Sequence, residues 1–309
     1  MERYDSSNPR EALRIIIMIN LNEQKLSLKT ALPLIQEHKN LYKSFVDLGI
    51  DSLSKKRIAV SILARNNSDV IQKNLTILID TLKKAKDYRI IIYENDSEDN
   101  TVELIKNLAK NNDKILLYTE KHNRKHYGPV RDVERTNNLA EYRNHNLSVI
   151  AKNFADFDYT VVCDIDFLEF YDVSIYHSLG VIQQPNVNAV CGVSYTIKQY
   201  GDKQILWNYD SWAYRGSWWQ DLNLMPGLSY HMFKDAMAWY GIFIPPMGSQ
   251  PFQVNSAFGG MAIYKTCDYI QGLYKGGDCE HVNFHLSLSN KNPKFMLLLN
   301  PSQVMLMKE

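Results

Sequence analysis

The residues best placed to do chemistry together are Asp164 and Asp166, at the end of Tyr159-Thr-Val-Val-Cys-Asp-Ile-Asp166. On an extended backbone alternate side chains share a face, so the two carboxylates project together. They repel each other unless a cation sits with them. The stretch therefore predicts a metal- and phosphate-binding strand end, and a solvated strand end with two idle acids is the plainer alternative. A second cluster lies late in the chain, in Asp278-Cys-Glu-His281 with His285 four residues on. A carboxylate here suits a general base and a histidine a metal shell. On a helix His281 and His285 share a face, and a helix start capped by Asp278 is the structural alternative.

Three further groups have the right chemistry for ligands. Arg143 can grip a pyrophosphate with two parallel hydrogen bonds. The stretch Glu94-Asn95-Asp96-Ser offers carboxylates and an amide to a base or to ribose hydroxyls; an acidic capping loop would have the same composition. All five tryptophans fall between Trp207 and Trp239. Trp207, Trp212, Trp218 and Trp219 give stacking faces for sugar rings, with Asp210, Arg215, Gln220 or Asp221 beside them to meet hydroxyls. Core packing or a protein interface uses the same residue types. Gly259-Gly260 allows a backbone to approach a ligand closely, or forms a tight turn.

These residues need a frame. From Lys56 the pattern is strand–helix alternation. Arg57 to Ala64 is a nearly continuous apolar run, as in a buried parallel strand, followed by the loop Arg65 to Asp69 and an amphipathic helix to Lys86. Tyr88 to Tyr93 is the second strand, followed by a helix from Thr101 to Lys110 that Ser97 or Asp99 can cap. Lys114 to Tyr118 is the third strand. Asn138 to Phe154 is a helix carrying Arg143, and the Asp164/Asp166 strand comes next. Ser174 to Leu179 reads as helix, Asn188 to Tyr195 and Lys294 to Leu299 as strands. Such alternation predicts an α/β doubly wound sheet with ligands at the carboxyl ends of its strands. The rim loops Arg65–Asp69 and Glu94–Asn100 lie on that edge. Residues 1–55 read as an N-terminal extension, with a strand at Leu13 to Ile19 and helical periodicity through Leu32, Leu34, Ile35, Leu41, Phe45 and Leu48. Gly49 reads as a helix stop.

Composition sets limits. A chain of 309 residues with 45% hydrophobic and 22% charged residues is ordinary globular material. A net charge of +1 gives no general field for nucleic acid. The cysteines (Cys163, Cys191, Cys267, Cys279) form no C-x-x-C pair and predict neither a disulfide framework nor a zinc site; a reducing, cytoplasmic setting is expected. The apolar run Arg14 to Ile19 is too short to span a bilayer and lacks a signal-peptide layout. Of the sequons at Asn66, Asn74, Asn95 and Asn146, two fall in the rim loops, where glycans would block a ligand.

The order of these motifs resembles a GT-A fold glycosyltransferase. The residues that carry the likeness are Ile62-Leu-Ala-Arg-Asn66, Glu94-Asn-Asp-Ser, Tyr142-Arg-Asn144, Asp164-Ile-Asp166, Phe258-Gly-Gly260 and Asp278-Cys-Glu-His281. The Glu-Asn-Asp-Ser and Cys-Glu-His-Val stretches are most similar to capsule-associated mannosyltransferases and related viral or bacterial glycan-building enzymes. The resemblance implies a Rossmann-like, mixed and mostly parallel sheet flanked by helices over residues 56–301. Residues 56–170 would form the nucleotide-sugar half and 171–301 the acceptor half, with 302–309 a tail. It implies a donor that is a UDP- or GDP-sugar, a carbohydrate acceptor, and Mn²⁺ or Mg²⁺. Asp166 would hold the metal, and Asp164 the metal through water or the ribose. Arg143 would sit at the diphosphate, and Ala64, Arg65, Glu94, Asn95 and Asp96 would border the nucleoside. Glu280 or Asp278 would be the base, and His281 or His285 could complete the metal shell. Stereochemistry stays open. Two other classes compete. A sugar nucleotidyltransferase would present a Gly-rich basic loop after the first strand, where this chain has Leu63-Ala-Arg-Asn-Asn. A non-catalytic glycan-binding protein of the same fold would have no need of the intact acid pair.

Overall fold

Strand β1 (Arg57–Ala64) is apolar at nearly every position because both of its faces are covered. Ile58, Val60 and Ile62 enter one core with Leu75 and Leu78, while Ala59 enters the other with Ala140 and Ile150. Two-residue alternation thus feeds two cores from one strand. Each fully buried Leu or Ile contributes about 1.5–3 kcal/mol relative to exposure. The computed structural model describes residues 27–128, 130–170, 172–201, 203–217 and 244–308. The expected strand at Leu13 to Ile19, together with Trp218, Trp219, Gln220 and Asp221, lies outside the described residues.

In chain order the main elements are α1 (Lys39–Leu53), β1, α2 (Ile71–Leu82), β2 (Asp87–Asn95), α3 (Thr101–Lys110), β3 (Ile115–Glu120), α4 (Val133–Asn153), β4 (Tyr159–Asp164) and β5 (Phe167–Phe170). The second half continues with α5 (Asp172–Val181), β6 (Ala189–Tyr200), β7 (Lys203–Asn208), β8 (Arg215–Gly216), β9 (Phe252–Ser256), β10 (Met261–Lys265), α6 (Glu280–Lys291) and β11 (Leu297–Met307). The sheet runs β3-β2-β1-β4-β10-β6-β11-β9-β8, with β5 added on β11 and β7 on β6. Strands β3, β2, β1 and β4 are mutually parallel. Strand β10 runs antiparallel between β4 and β6, and β6 is parallel to β11. This is the expected mixed α/β sheet with a parallel core flanked by helices.

Three details depart from the sequence expectation. Gly49 does not stop a helix; it lies inside α1. A Cβ there would sit 1.8 Å from the Tyr176 carbonyl oxygen, and one on Gly180 would sit 2.0 Å from the Phe45 carbonyl oxygen. The two glycines let α1 and α5 cross backbone to backbone. Helix α4 starts at Val133 rather than Asn138, capped by the Asp132 carboxylate accepting from the Arg135 N–H. Residues 302–307, in the stretch read as a tail, belong to β11, which runs to Met307 and is buried throughout. Pairing with β5 and β6 takes up its backbone groups, which a local reading of Pro301 could not foresee.

Candidate functional site

The acid motif ends β4, with Asp166 just beyond the strand. Hydrogen bonds from other elements fix its backbone. The Asp164 N–H donates to the Gly260 carbonyl at 2.8 Å, and the Lys308 N–H donates to the Asp166 carbonyl at 3.0 Å. Asn74, wholly buried on α2, donates from Nδ2 to the carbonyls of Ile165 and Phe167, both at 2.7 Å. Neither Asn74 nor Asn146 is exposed in the folded chain, so those sequons are structural amides.

Asp164 and Asp166 open onto a cavity of about 420 Å³ that Arg143, Glu280, His281 and Ala64 also line. Arg143 reaches across from α4. Its Nε donates to Glu280 Oε1 at 3.0 Å and its Nη2 to Asp164 Oδ1 at 3.2 Å. Its Nη1 is buried with no hydrogen-bond partner among the described residues. The guanidinium also lies 5.2 Å from the Phe258 ring centroid. Burial opposes its charge, but Glu280 and Asp164 outweigh that and raise its pKa. A buried, unpartnered guanidinium nitrogen on a residue that lines an acid-bearing cavity suits an incoming phosphate oxygen.

The carboxylates are short of positive charge. Burial pushes Asp166 up to about 7, with the Asp164 charge adding. Burial likewise raises Asp164, while Arg143 pulls it back and Glu280 adds to the rise. Asp210 lines the same cavity and is pushed up to about 7 by burial, against the Gly259 N–H that it accepts at 2.8 Å. Among the described residues no three His, Cys, Asp or Glu side chains gather as a metal cage. Two carboxylates fit a hard cation that arrives on a diphosphate and takes its other ligands from phosphate oxygens and water.

The remaining expected residues separate. Glu280 lines the cavity, tied to Arg143. Asp278 is engaged elsewhere, accepting from Arg215 Nη2 at 2.8 Å, Trp212 Nε1 at 3.1 Å and the Cys279 N–H at 2.7 Å. His281 lies flat on Phe258 with ring centroids 3.7 Å apart, and its Nε2 is 3.6 Å from Glu280 Oε1. Burial, then Arg143 and His285, hold it neutral. His285 sits in the core, its two ring nitrogens bonded to Ser256 at 2.9 Å and Tyr264 at 2.8 Å. Trp212 lines the cavity, whereas Trp207 lies on β7 away from it. Gly259 and Gly260 have positive φ, but the close approach at Gly259 is to the chain itself: a Cβ there would meet the Gly192 carbonyl oxygen at 2.2 Å.

Of the residues expected to border a nucleoside, Ala64, Arg65 and Asn95 line the cavity, and Glu94 and Asp96 line a second one that Arg65 also lines. The rim loops are stitched together: the Asn66 N–H donates to Ser97 Oγ and the Ser68 N–H to Asp99. Glu94 accepts from the Ser97 N–H. Asp96 accepts from the Asn123 and Arg124 N–H groups; burial alone would raise it, but these bonds hold it below the usual carboxylate range. Arg65 donates to the Arg124 carbonyl at 2.7 Å. The sequence reading missed Asn74, Arg135 and Lys308. Arg135 and Lys308 also line the cavity, and both come from segments read as something other than site elements.

A parallel-cored sheet carrying an acid motif, an arginine and a late carboxylate on one rim cavity has the form of a glycosyltransferase. The chain belongs to the family described as Cryptococcal mannosyltransferase 1, which matches residues 36–294. That match takes in residues 36–55, part of the stretch read as an extension. No curated protein matches the chain in sequence. Among solved structures it is similar to mannosyl-3-phosphoglycerate synthase from Rubrobacter xylanophilus, with 12% identity, 88% of this chain and 71% of that one covered, and a TM-score of 0.48. It is also similar to glucosyl-3-phosphoglycerate synthase from Mycobacterium tuberculosis in complex with Mn²⁺, UDP and phosphoglyceric acid, with 11% identity, coverage of 85% and 75%, and a TM-score of 0.47. A third is the mannosyltransferase PcManGT from Pyrobaculum calidifontis in complex with GDP-Man and Mn²⁺, with 12% identity, coverage of 87% and 65%, and a TM-score of 0.43.

Proposed function

We propose that the chain transfers a sugar, mannose in keeping with its family, from a UDP- or GDP-linked donor to a hydroxyl of a carbohydrate acceptor, with Mn²⁺ or Mg²⁺ at Asp164 and Asp166. The observation that carries this reading is the convergence of Asp164, Asp166, Arg143 and Glu280 on one cavity. In the transfer the bond from the anomeric carbon to the diphosphate oxygen breaks, and the diphosphate leaves with the electron pair. A bond to the acceptor oxygen forms. The bound metal would neutralise the departing diphosphate. Asp166 and Asp164 would hold the cation, and Nη1 of Arg143, without a hydrogen-bond partner among the described residues, would meet a phosphate oxygen. Glu280, which accepts from Arg143 Nε and lines the cavity, is the candidate base that takes the proton of the acceptor hydroxyl as the new bond forms. Of the two late histidines, His281 lines the cavity. Ala64, Arg65 and Asn95 border the nucleoside. All four cysteines are free thiols, which supports a reducing setting such as the cytoplasm. No helix among the described residues is long and apolar enough to cross a membrane.

The test is a thermal-shift and nucleotide-release comparison with UDP- and GDP-sugars, with and without Mn²⁺. A ligand that binds the native state raises its melting temperature by mass action. The expected result is a shift that needs both nucleotide and metal and is lost in Asp166→Ala, together with nucleotide release that depends on metal. Metal-independent release by Asp166→Ala in chelator would remove the metal from the mechanism. Tight glycan binding with no nucleotide release from any donor would point to the binding-only alternative.

A further inference from the structure

The cavity holds one carboxylate that the proposed metal and diphosphate chemistry does not use. Asp164 and Glu280 are each paired with Arg143. Asp278, outside the cavity, is paired with Arg215 at 2.8 Å. Asp166 stands beside Asp164 at the motif. Asp210 stands apart: among the described residues its side chain takes one hydrogen bond, from the neutral Gly259 N–H at 2.8 Å.

That donor is fixed. Gly259 has φ +63, and a Cβ on it would lie 2.2 Å from the Gly192 carbonyl oxygen, so only glycine fits and the N–H direction is set by the backbone. One oxygen of Asp210 is thereby anchored. The carboxylate keeps most of its acceptor capacity for something in the cavity. Holding a partly buried carboxylate with so few donors is costly unless a ligand completes its shell. Tyr209 and Trp212 line the same cavity. A carboxylate next to aromatic faces matches a sugar, whose C–H groups pack on rings while its hydroxyls donate to the acid.

We propose that Asp210 is a substrate-contacting residue, the carboxylate that accepts a hydrogen bond from a sugar hydroxyl in the transfer complex. This rests on the glycosyl-transfer reading and adds to it a residue that serves neither the metal nor the nucleotide. The hydroxyl comes from the transferred sugar or from the acceptor. Either gives the same contact at Asp210, and the two are separated by experiment.

The test compares wild type with Asp210→Asn, which can still accept from the Gly259 N–H but has lost its charge, and with Asp210→Ser, which is too short to reach the site. Three measurements are made on each: melting temperature, affinity for nucleoside diphosphate with Mn²⁺, and turnover with and without an added acceptor. Turnover should fall about 10- to 100-fold, the range for a lost hydrogen bond to a charged group, while diphosphate·Mn²⁺ affinity stays within about twofold. Loss of both acceptor transfer and donor hydrolysis assigns the contact to the transferred sugar; loss of transfer alone assigns it to the acceptor. Wild-type turnover in both variants, or a fall in diphosphate·Mn²⁺ affinity as large as the fall in turnover, overturns the proposal. Absence of turnover in the wild type itself would instead overturn the glycosyl-transfer reading.

Discussion

Arg143 carries more of the site than any other single residue. It is buried, bonded to a carboxylate on each side, and its Nη1 has no hydrogen-bond partner among the described residues. A buried ion pair that loses one partner leaves an uncompensated charge, at a cost of about 3–5 kcal/mol. Here two carboxylates would be left together, so Arg143→Met is expected to destabilise the fold at least that much. Arg143→Lys is the sharper probe, because it keeps the charge and loses the fork that spans Asp164 and Glu280 while leaving an N–H over. We expect Arg143→Lys to fold, with a melting temperature lower by several degrees, and to lose about 10- to 100-fold in diphosphate affinity. Calorimetry and diphosphate titration check both effects. Equal diphosphate affinity in the two proteins would mean that Nη1 does not meet the phosphate. At this scale the acid pair was readable in the sequence, because a one-residue spacing on a strand fixes its geometry locally. Asp210 was only one of four polar candidates in the tryptophan-rich segment. What singles it out is a hydrogen bond from Gly259, 49 residues on, which no local pattern encodes.

The elements that carry the site divide in the same way. Strands β1, β2 and β4 were legible because burial on both faces demands continuous apolar runs. The α1–α5 crossing and the course of β11 were not, because each depends on a partner far away in sequence. Gly49 shows the difference. Glycine after an amphipathic run reads as a stop signal, yet here it is a place where the Tyr176 backbone must fit. Leu48, read as part of the apolar face, is 43% exposed for the same reason: the face that packs is the one holding Phe45 and Gly49. Gly49→Ala and Gly180→Ala should therefore each lower stability, by about 1–3 kcal/mol if the helices can shift apart and by more if they cannot. Ordinary Gly→Ala substitution inside a helix goes the other way, by about 0.5–1 kcal/mol. Denaturant unfolding gives the sign directly, and a stabilised Gly49→Ala would show that the crossing is looser than described.

Across the whole molecule, the parallel core and the mixed second half are joined through β10 into one sheet, so buried titratable groups far from the cavity bear on the stability of the fold that carries it. His177 on α5 is the clearest case. It is fully buried, its Nδ1 accepts from Asn300 at 3.0 Å, and its ring lies 5.0 Å from Tyr42 and 5.1 Å from Phe45. Its Nε2 has no hydrogen-bond partner among the described residues. Burial lowers its pKa from 6.5 to about 3. The folded state thus holds this proton less tightly than the unfolded chain does. Its stabilising contribution is fully present above the unfolded value of 6.5 and is lost as pH falls toward about 3. One proton of difference amounts to about 1.4 kcal/mol per pH unit in that window. His177→Phe keeps the packing against the two aromatic rings and leaves Asn300 bonded to Ser178 at 2.8 Å. The stability of wild type relative to His177→Phe should then stay flat above about pH 6.5 and fall by roughly 3 kcal/mol by about pH 4. Unfolding free energies of both proteins across that range measure the slope. Parallel curves would mean that His177 keeps the same proton affinity folded and unfolded, and that acid sensitivity arises instead from the buried histidines of α6.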